Sequence, residues 1–387
     1  MTAAPGDVLI VGAGLAGARC AETLRAEGFE GRVVLVGAEA EPPYERPALS
    51  KELLAGPRQA EDLTLRAPGW WAEREIERVS STRIGAIDPR RRTAVSTSGR
   101  EFAWDALVLA TGARARRFPG STPGGVHTLR SLADALALRA ELRPGRRLVI
   151  VGAGFVGTEV ASTALALDVE VVLLEGGRGP LERLLGLEVS ALLAQRYRAQ
   201  GVDLRPRAMF SGFSTDAQGR VRAAVLDDGT TIPCDAALVA LGATPECPQA
   251  FADRDGIETD ACGRTTLPGT YACGDVASSW RPWIGKRLRI EHWTNAAGQG
   301  ASVARTILGH EKPYDELPYF WSDQFGLRLQ YVGHAEEWAA VDIEGDENSF
   351  SAQYRRADGR PLAVLLANRG HEIGAARRAL AAVELAA

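Results

Sequence analysis

Two short glycine runs carry the strongest chemical signal in this 387-residue chain. The first is Gly12-Ala-Gly14-Leu-Ala-Gly17, entered from the apolar segment Asp7 to Val11. The second is Gly152-Ala-Gly154-Phe-Val-Gly157, entered from Leu148 to Val151. Each G-x-G-x-x-G follows a strand-like run and opens a helical pattern, the context in which it binds a dinucleotide. The first glycine makes the tight turn, the second admits backbone N–H groups to a pyrophosphate, and the third lets helix pack on strand. The anion then faces a helix N-terminus. One copy is weak evidence. Two imply two nucleotides on one chain, and hence electron transfer between them.

A carboxylate follows each run at roughly the ~20-residue spacing where an acid binds the adenine ribose. In the first unit it is Glu39, preceded by Ala38; in the second it is Glu175. A carboxylate bonds the ribose diol but repels a 2′-phosphate, so Glu175 predicts a preference for NADH. Arg178 and Arg183 follow closely and could instead bind phosphate. The duplication reaches past the glycines. Ala106-Leu-Val-Leu-Ala-Thr-Gly112-Ala closes the first unit and Ala236-Ala-Leu-Val-Ala-Leu-Gly242-Ala the second, each an apolar strand ending in a small turn.

The elements that must position these residues read as follows. Strand 7–11, helix 15–27 and strand 32–36 open the first unit, and a helix begins near Ser50, a plausible N-cap. Residues 62–104 alternate short strands and turns, and a linker rich in Arg, Pro and Gly runs from Arg114 to Gly125. Strand 148–151, helix 155–167 and strand 170–174 open the second unit. A helix at about 187–200 and a meander at about 203–233 follow, with Asp227-Asp-Gly-Thr230 as its clearest turn. Asn295 to Gly309 has helical composition. Trp321 to Gly333 and Ser351 to Leu366 read as strands, and Glu372 to Leu385 as a terminal helix.

Composition bounds the class. Hydrophobic residues at 45% and charged residues at 24% describe an ordinary globular chain of two to three domains. A net charge of −4 gives no basic field for nucleic acid. No apolar run approaches the ~18 residues that span a membrane. The N-terminus lacks a basic, apolar leader, which predicts a cytoplasmic protein. Cysteines 20, 234, 247, 262 and 273 form no C-x-x-C or C-x₄-C, so neither a metal site nor a local redox disulfide is expected.

Further motifs join the two fingerprints: Pro43-Tyr-Glu-Arg-Pro-Ala-Leu-Ser-Lys51, Ala110-Thr-Gly112, Tyr271-Ala-Cys-Gly-Asp275, Glu291-His-Trp-Thr-Asn295 and Phe320-Trp-Ser-Asp-Gln324. Together they resemble the flavoprotein NAD(P)H:ferredoxin reductases of bacterial P450 and Rieske oxygenase systems. This is the putidaredoxin-reductase and biphenyl-dioxygenase-reductase type, built on the glutathione-reductase fold. The resemblance spans essentially the whole chain. It implies an α/β fold with two Rossmann-like dinucleotide-binding domains, one inserted in the other, plus a C-terminal α+β domain. The FAD domain would cover 1–113 and 245–314, the NAD domain 114–244, and the C-terminal domain 315–387.

The resemblance also implies site residues. FAD would be held by Gly12, Gly14, Leu15, Ala16, Gly17, Ala38, Glu39, Ile84, Ala110, Thr111, Gly112, Gly274, Asp275, Glu291, His292 and Ala296. Arg46 and Lys51 would lie along the flavin, Arg130 near the domain junction, and Trp293 and Trp321 near the ring. NAD would meet Gly152, Gly154, Phe155, Val156, Gly157, Glu175, Arg183, Leu241 and Gly242. The position directly after the strand-end glycine, where many relatives carry the ribose acid, is Ala38 here. Either Glu39 takes that role or backbone groups do.

The implied reaction passes a hydride from NADH to FAD and then single electrons to a [2Fe-2S] or similar small ferredoxin. A quinone or monodehydroascorbate-type acceptor is the alternative on the same scaffold. Lys51, partnered by Glu159, would tune the flavin, and the helix starting near Trp293 would aim N–H groups at developing negative charge. The basic run Arg281 to Arg289, with Lys286, Arg287 and Arg289 among Trp280 and Trp283, would steer an acidic ferredoxin.

Overall fold

A computed structural model describes residues 5–120, 122–251 and 255–384. Met1 to Ala4 of the N-terminal reading and Leu385 of the terminal helix fall outside them. The chain forms two compact units. One comprises Met1–Glu45, Leu63–Arg114 and Thr244–Pro318, the other Arg46–Asp62, Ala115–Ala243 and Tyr319–Ala387.

The first unit is built on a parallel sheet. Its strand order is Thr270–Ala272, Ala106–Leu109, Asp7–Val11, Arg32–Val36, Ile76–Val79. The inner strands Ala106–Leu109, Asp7–Val11 and Arg32–Val36 are apolar and buried at every central position because both faces are covered. Val8 and Ile10 point to the helices Leu15–Ala26 and Trp293–Ile307. Leu9 and Val11 point to a meander formed by Ile84–Asp88, Thr93–Ser96 and Glu101–Ala103. The two helices meet at backbone distance: a Cβ on Gly300 would lie 2.2 Å from the carbonyl oxygen of Ala16.

The second unit repeats the plan. Its parallel sheet runs Asp203–Pro206, Glu170–Glu175, Arg147–Val151, Ala236–Val239, Val126–His127. Phe155–Leu165 packs on the fingerprint strand and its neighbour. Phe210–Thr215, Val221–Leu226 and Thr231–Pro233 form the antiparallel meander over the face bearing Val149 and Val151. The same unit carries a five-stranded antiparallel sheet in the order Tyr319–Gln324, Leu327–Gly333, Pro361–Ala367, Ser349–Arg355, Ala340–Asp346. Helix Ile373–Glu384 packs on two of its strands. The fold is the expected mixed α/β class with a C-terminal α+β portion.

Several elements differ from the sequence reading. Ser50 ends a 3-10 turn, Arg46–Ser50, and Lys51 takes the N-cap position of the short helix Glu52–Ala55 without a side-chain cap. The Ser50 hydroxyl is engaged elsewhere. Residues 203–206 join the parallel sheet instead of the meander. The helix expected at 187–200 is present and is preceded by a short helical turn from Glu182, from which Gly186, at φ 80° and ψ 171°, separates it.

Candidate active site

The first fingerprint forms a cradle that side chains would fill. A Cβ on Gly12, whose φ is +115°, would lie 2.1 Å from the carbonyl oxygen of Ala110, and one on Gly17 would lie 2.0 Å from that of Gly12. Beside Gly14 no atom lies within 4 Å of a Cβ position, so this glycine has room for a ligand. Gly14 caps the helix Leu15–Ala26 with no side-chain bond, and its first turn has no acidic residue. The first-turn N–H groups are thus directed at an anion site. Nearby in the fold, at the end of strand Ala106–Leu109, Thr111 Oγ1 is buried without a hydrogen-bond partner among the described residues. An unmet buried hydroxyl costs ~1–3 kcal/mol, which a polar ligand edge relieves. Cradle and orphaned hydroxyl both fit FAD.

The other first-unit residues are arranged around that cradle. Ala38 is exposed and Glu39 half-buried, its carboxylate accepting the Tyr44 hydroxyl at 2.5 Å. Ile84 packs on the meander-side core, whereas Leu15, Ala16 and Ala110 join the helix-side core. Gly274, at φ +76°, abuts the fingerprint helix: a Cβ there would meet Ala16 Cβ at 2.8 Å. Its N–H donates to Gln299 Oε1 at 2.8 Å, and Asp275 follows in the turn Gly274–Val276. His292 takes the N-cap position of Trp293–Ile307, which also lacks a side-chain cap and first-turn acid. Ala296 is buried and Trp293 is exposed. Burial pushes the Cys273 thiol up to about 12 and the Cys20 thiol also upward, so both are unreactive.

One expectation is corrected here. Arg281, read as the start of a basic surface run, is 1% exposed. Its guanidinium donates to Asn295 Oδ1 and to the Tyr314 carbonyl and lies 4.7 Å from the Tyr314 ring centroid. It braces the start of helix Trp293–Ile307 from inside. The outer residues of the run are offset by acids: Arg289 bonds Glu291, and Arg287 lies 3.4 Å from Glu258.

The second fingerprint has the same geometry. A Cβ on Gly152 would lie 2.5 Å from the Ala240 carbonyl oxygen and one on Gly157 2.0 Å from that of Gly152, while Gly154 faces open space. Glu175 accepts the N–H of Ala153 at 3.0 Å and that of Gly177 at 2.8 Å. Arg178 is bound to Glu182 at 2.7 Å, and Arg183 is exposed. Val156 and Leu241 are exposed, Gly242 has φ +87°, and Phe155 packs edge-on against Phe320 at 4.8 Å.

The second unit also joins Lys51 to Glu159. Lys51 Nζ lies 2.8 Å from Glu159 Oε2, and both side chains are largely buried. Ser50 Oγ donates to the same oxygen at 2.5 Å, and Ser322 Oγ donates to Oε1 at 2.7 Å. Arg46 donates to the Arg130 carbonyl at 2.6 Å. Trp321 stacks on Tyr319 with centroids 6.3 Å apart. Sequence reading missed Ser50, Ser322, Gln299 and Tyr44 as partners. Each stands inside or near a motif, but its partner lies far off along the chain or could not be assigned. Among the described residues no group of three His, Cys, Asp or Glu could hold a metal. No described helix is long and apolar enough to cross a membrane.

These features can be set beside known proteins. Residues 6–300 match the pyridine nucleotide-disulphide oxidoreductase family and residues 319–386 the reductase C-terminal family. The chain is 39% identical to the 5,5'-dehydrodivanillate O-demethylase ferredoxin reductase subunit of Sphingobium sp., over 94% of this chain and 90% of that protein. It is 38% identical to the biphenyl dioxygenase system ferredoxin–NAD(+) reductase component of Paraburkholderia xenovorans, over 92% of this chain and 86% of that protein. Putidaredoxin reductase in its covalent complex with putidaredoxin superposes with a TM-score of 0.93 at 36% identity, covering 98% of this chain and 93% of that one. The chain belongs to the pyridine nucleotide-disulphide oxidoreductase family and, within it, to the FAD- and NAD(H)-dependent ferredoxin reductases that carry the reductase C-terminal domain.

Proposed function

We propose that this flavoprotein passes electrons from NADH to a small acidic [2Fe-2S] ferredoxin that feeds a P450 or Rieske oxygenase. FAD supplies the chemistry, accepting a hydride from NADH and releasing electrons singly. The chain's residues bind, orient and set charge. The observation that carries the reading is the presence of two complete cradles in one chain, each with its own uncapped helix N-terminus.

Gly12, Gly14 and Gly17 hold the FAD pyrophosphate, with Glu39 at the adenosine ribose. The domains follow: FAD on 1–113 and 245–314, NAD on 114–244, and the C-terminal portion from 315. Gly152, Gly154 and Gly157 hold the NADH pyrophosphate. Glu175, fixed by two backbone donors, bonds the ribose diol, and the tying of Arg178 to Glu182 removes one competing cation for a 2′-phosphate. Lys51, held by Glu159, presents an ammonium to the flavin. The uncapped start of Trp293–Ile307 offers N–H groups where negative charge collects.

Docking uses the hairpin Ala277–Arg281 and Lys286–Arg289, where exposed Trp280 pairs across the strands with Arg287. Five free cysteines fit the reducing cytoplasm. The test is NADH-driven cytochrome c reduction by the FAD-loaded protein, with and without added [2Fe-2S] ferredoxin. Strong stimulation by ferredoxin supports the reading. Fast reduction of a quinone with no ferredoxin effect contradicts it.

A further inference from the structure

The Lys51–Glu159 pair ends a buried polar chain that reaches into the C-terminal sheet. Strand Tyr319–Gln324 alternates, with Phe320, Ser322 and Gln324 buried and Tyr319, Trp321 and Asp323 half-buried. The buried face runs along helix Phe155–Leu165. Phe320 meets Phe155, Ser322 meets Glu159, and the Phe325 N–H donates to Ser162 Oγ at 2.7 Å. Residues 155 and 159 share one helix face, so strand and helix match residue for residue.

The hydrogen bonds along this seam have one direction. Tyr197 OH donates to Gln324 Oε1 at 2.5 Å, and Gln324 Nε2 donates to Ser322 Oγ at 2.9 Å. With that lone pair taken, the Ser322 hydroxyl hydrogen goes to Glu159 Oε1. Burial pushes the Tyr197 phenol well above its usual value, so it remains a protonated donor. Every dipole points at the carboxylate, and such chains polarise one another. Tyr197, Ser322 and Gln324 are each at most 2% exposed. Purely structural cement between strand and helix needs neither a charged terminus nor a uniform direction.

We propose that Ser322, backed by Gln324 and Tyr197, is a positioning residue that occupies one oxygen of Glu159 and so presents the other to Lys51. This rests on the reading that Lys51 faces the flavin. Without Ser322 only Ser50 still anchors the carboxylate, through Oε2, so Oε1 is released and the ammonium is held less firmly in place. A cation near the flavin favours the reduced form, so loosening it lowers the potential of bound FAD.

The test is the two-electron midpoint potential of the full-length, FAD-loaded protein, with melting temperature and FAD content as folding controls. S322A is expected to shift the reduction equilibrium about tenfold toward oxidised FAD, ~30 mV more negative. S322T, which keeps the hydroxyl, restores it. K51M shifts it the same way, and adding S322A to K51M brings no further change. An S322A potential equal to that of the unmodified protein, where K51M moves it, overturns the proposal. A K51M potential that does not move overturns the placement of Lys51 at the flavin, and the proposal with it. Should S322A fail to hold FAD, Y197F removes only the terminal donor and should give a smaller shift of the same sign. No shift in Y197F then overturns the proposal.

Discussion

In the proposed function Glu175 is the side chain that sets cofactor choice. Two backbone donors, Ala153 and Gly177, fix its carboxylate, so a ribose diol meets acceptors already in place. Glu175→Ala should lower the NADH-over-NADPH ratio of kcat/KM by about tenfold, ~1.4 kcal/mol. An unchanged ratio would move the discrimination to another residue. His127 makes a second prediction. Burial lowers its pKa from 6.5, against the raising pull of Glu141. Burial raises the Glu141 pKa, but Arg220 and Arg146 outweigh it and hold the net value below the usual range. The unfolded chain therefore binds protons that folded His127 resists, so stability is lost as pH falls through and below 6.5. Glu141 adds a loss at lower pH, as its depressed carboxyl protonates. H127Q should flatten the upper part of this slope in melting temperature against pH, and an unaltered slope would exclude His127. At this scale the two glycine cradles were legible, because the spacing of their glycines between strand and helix marks a close backbone approach. Ser322 was not: its partner Glu159 is 163 residues away, and nothing local marks it.

At the scale of elements, the fingerprint helix and Trp293–Ile307 approach closely through Gly300. Gly300→Val should cost ~1–3 kcal/mol by overpacking and loosen FAD retention, read as a lower melting temperature and released flavin. Full retention of FAD at an unchanged melting temperature would mean that the close approach does not hold the cradle. The inner parallel strands Asp7–Val11, Arg32–Val36, Arg147–Val151 and Glu170–Glu175 were legible because both faces are buried and the runs are apolar, whereas the edge strand Asp203–Pro206, with Asp203 and Arg205, read as part of the meander. Strand Ala340–Asp346 was not, because it is a sheet edge with mostly exposed residues, and its apolar alternation is limited to Val341 and Ile343. Trp321 to Gly333 is two strands joined at Phe325-Gly326, both at positive φ, a turn that the pattern alone ran through. The Ser50 cap failed for a different reason: its hydroxyl serves Glu159 instead of a helix end.

For the whole molecule, a net charge of −4 leaves local patches, not an overall field, to guide a partner. Lys286, Arg287 and Arg289 are interleaved with Glu258 and Glu291, so docking should depend on salt only moderately. Arg287→Glu should lower ferredoxin-dependent turnover severalfold, about 1 kcal/mol, while leaving direct flavin reduction by NADH unchanged. Equal loss in both rates would place Arg287 outside the docking surface. The two-unit plan was legible as a sequence duplication, whereas the grouping of Arg46–Asp62 with Tyr319–Ala387 in one unit was not. That grouping depends on contacts such as Ser50 and Ser322 on Glu159, which no local pattern announces. The most direct measurement is an anaerobic titration of the FAD-loaded protein and excess oxidised [2Fe-2S] ferredoxin with NADH. Two ferredoxins reduced for each NADH consumed, in a reaction that stops when FAD is removed, is the expected result. NADH that reduces the flavin while the ferredoxin stays oxidised would contradict it.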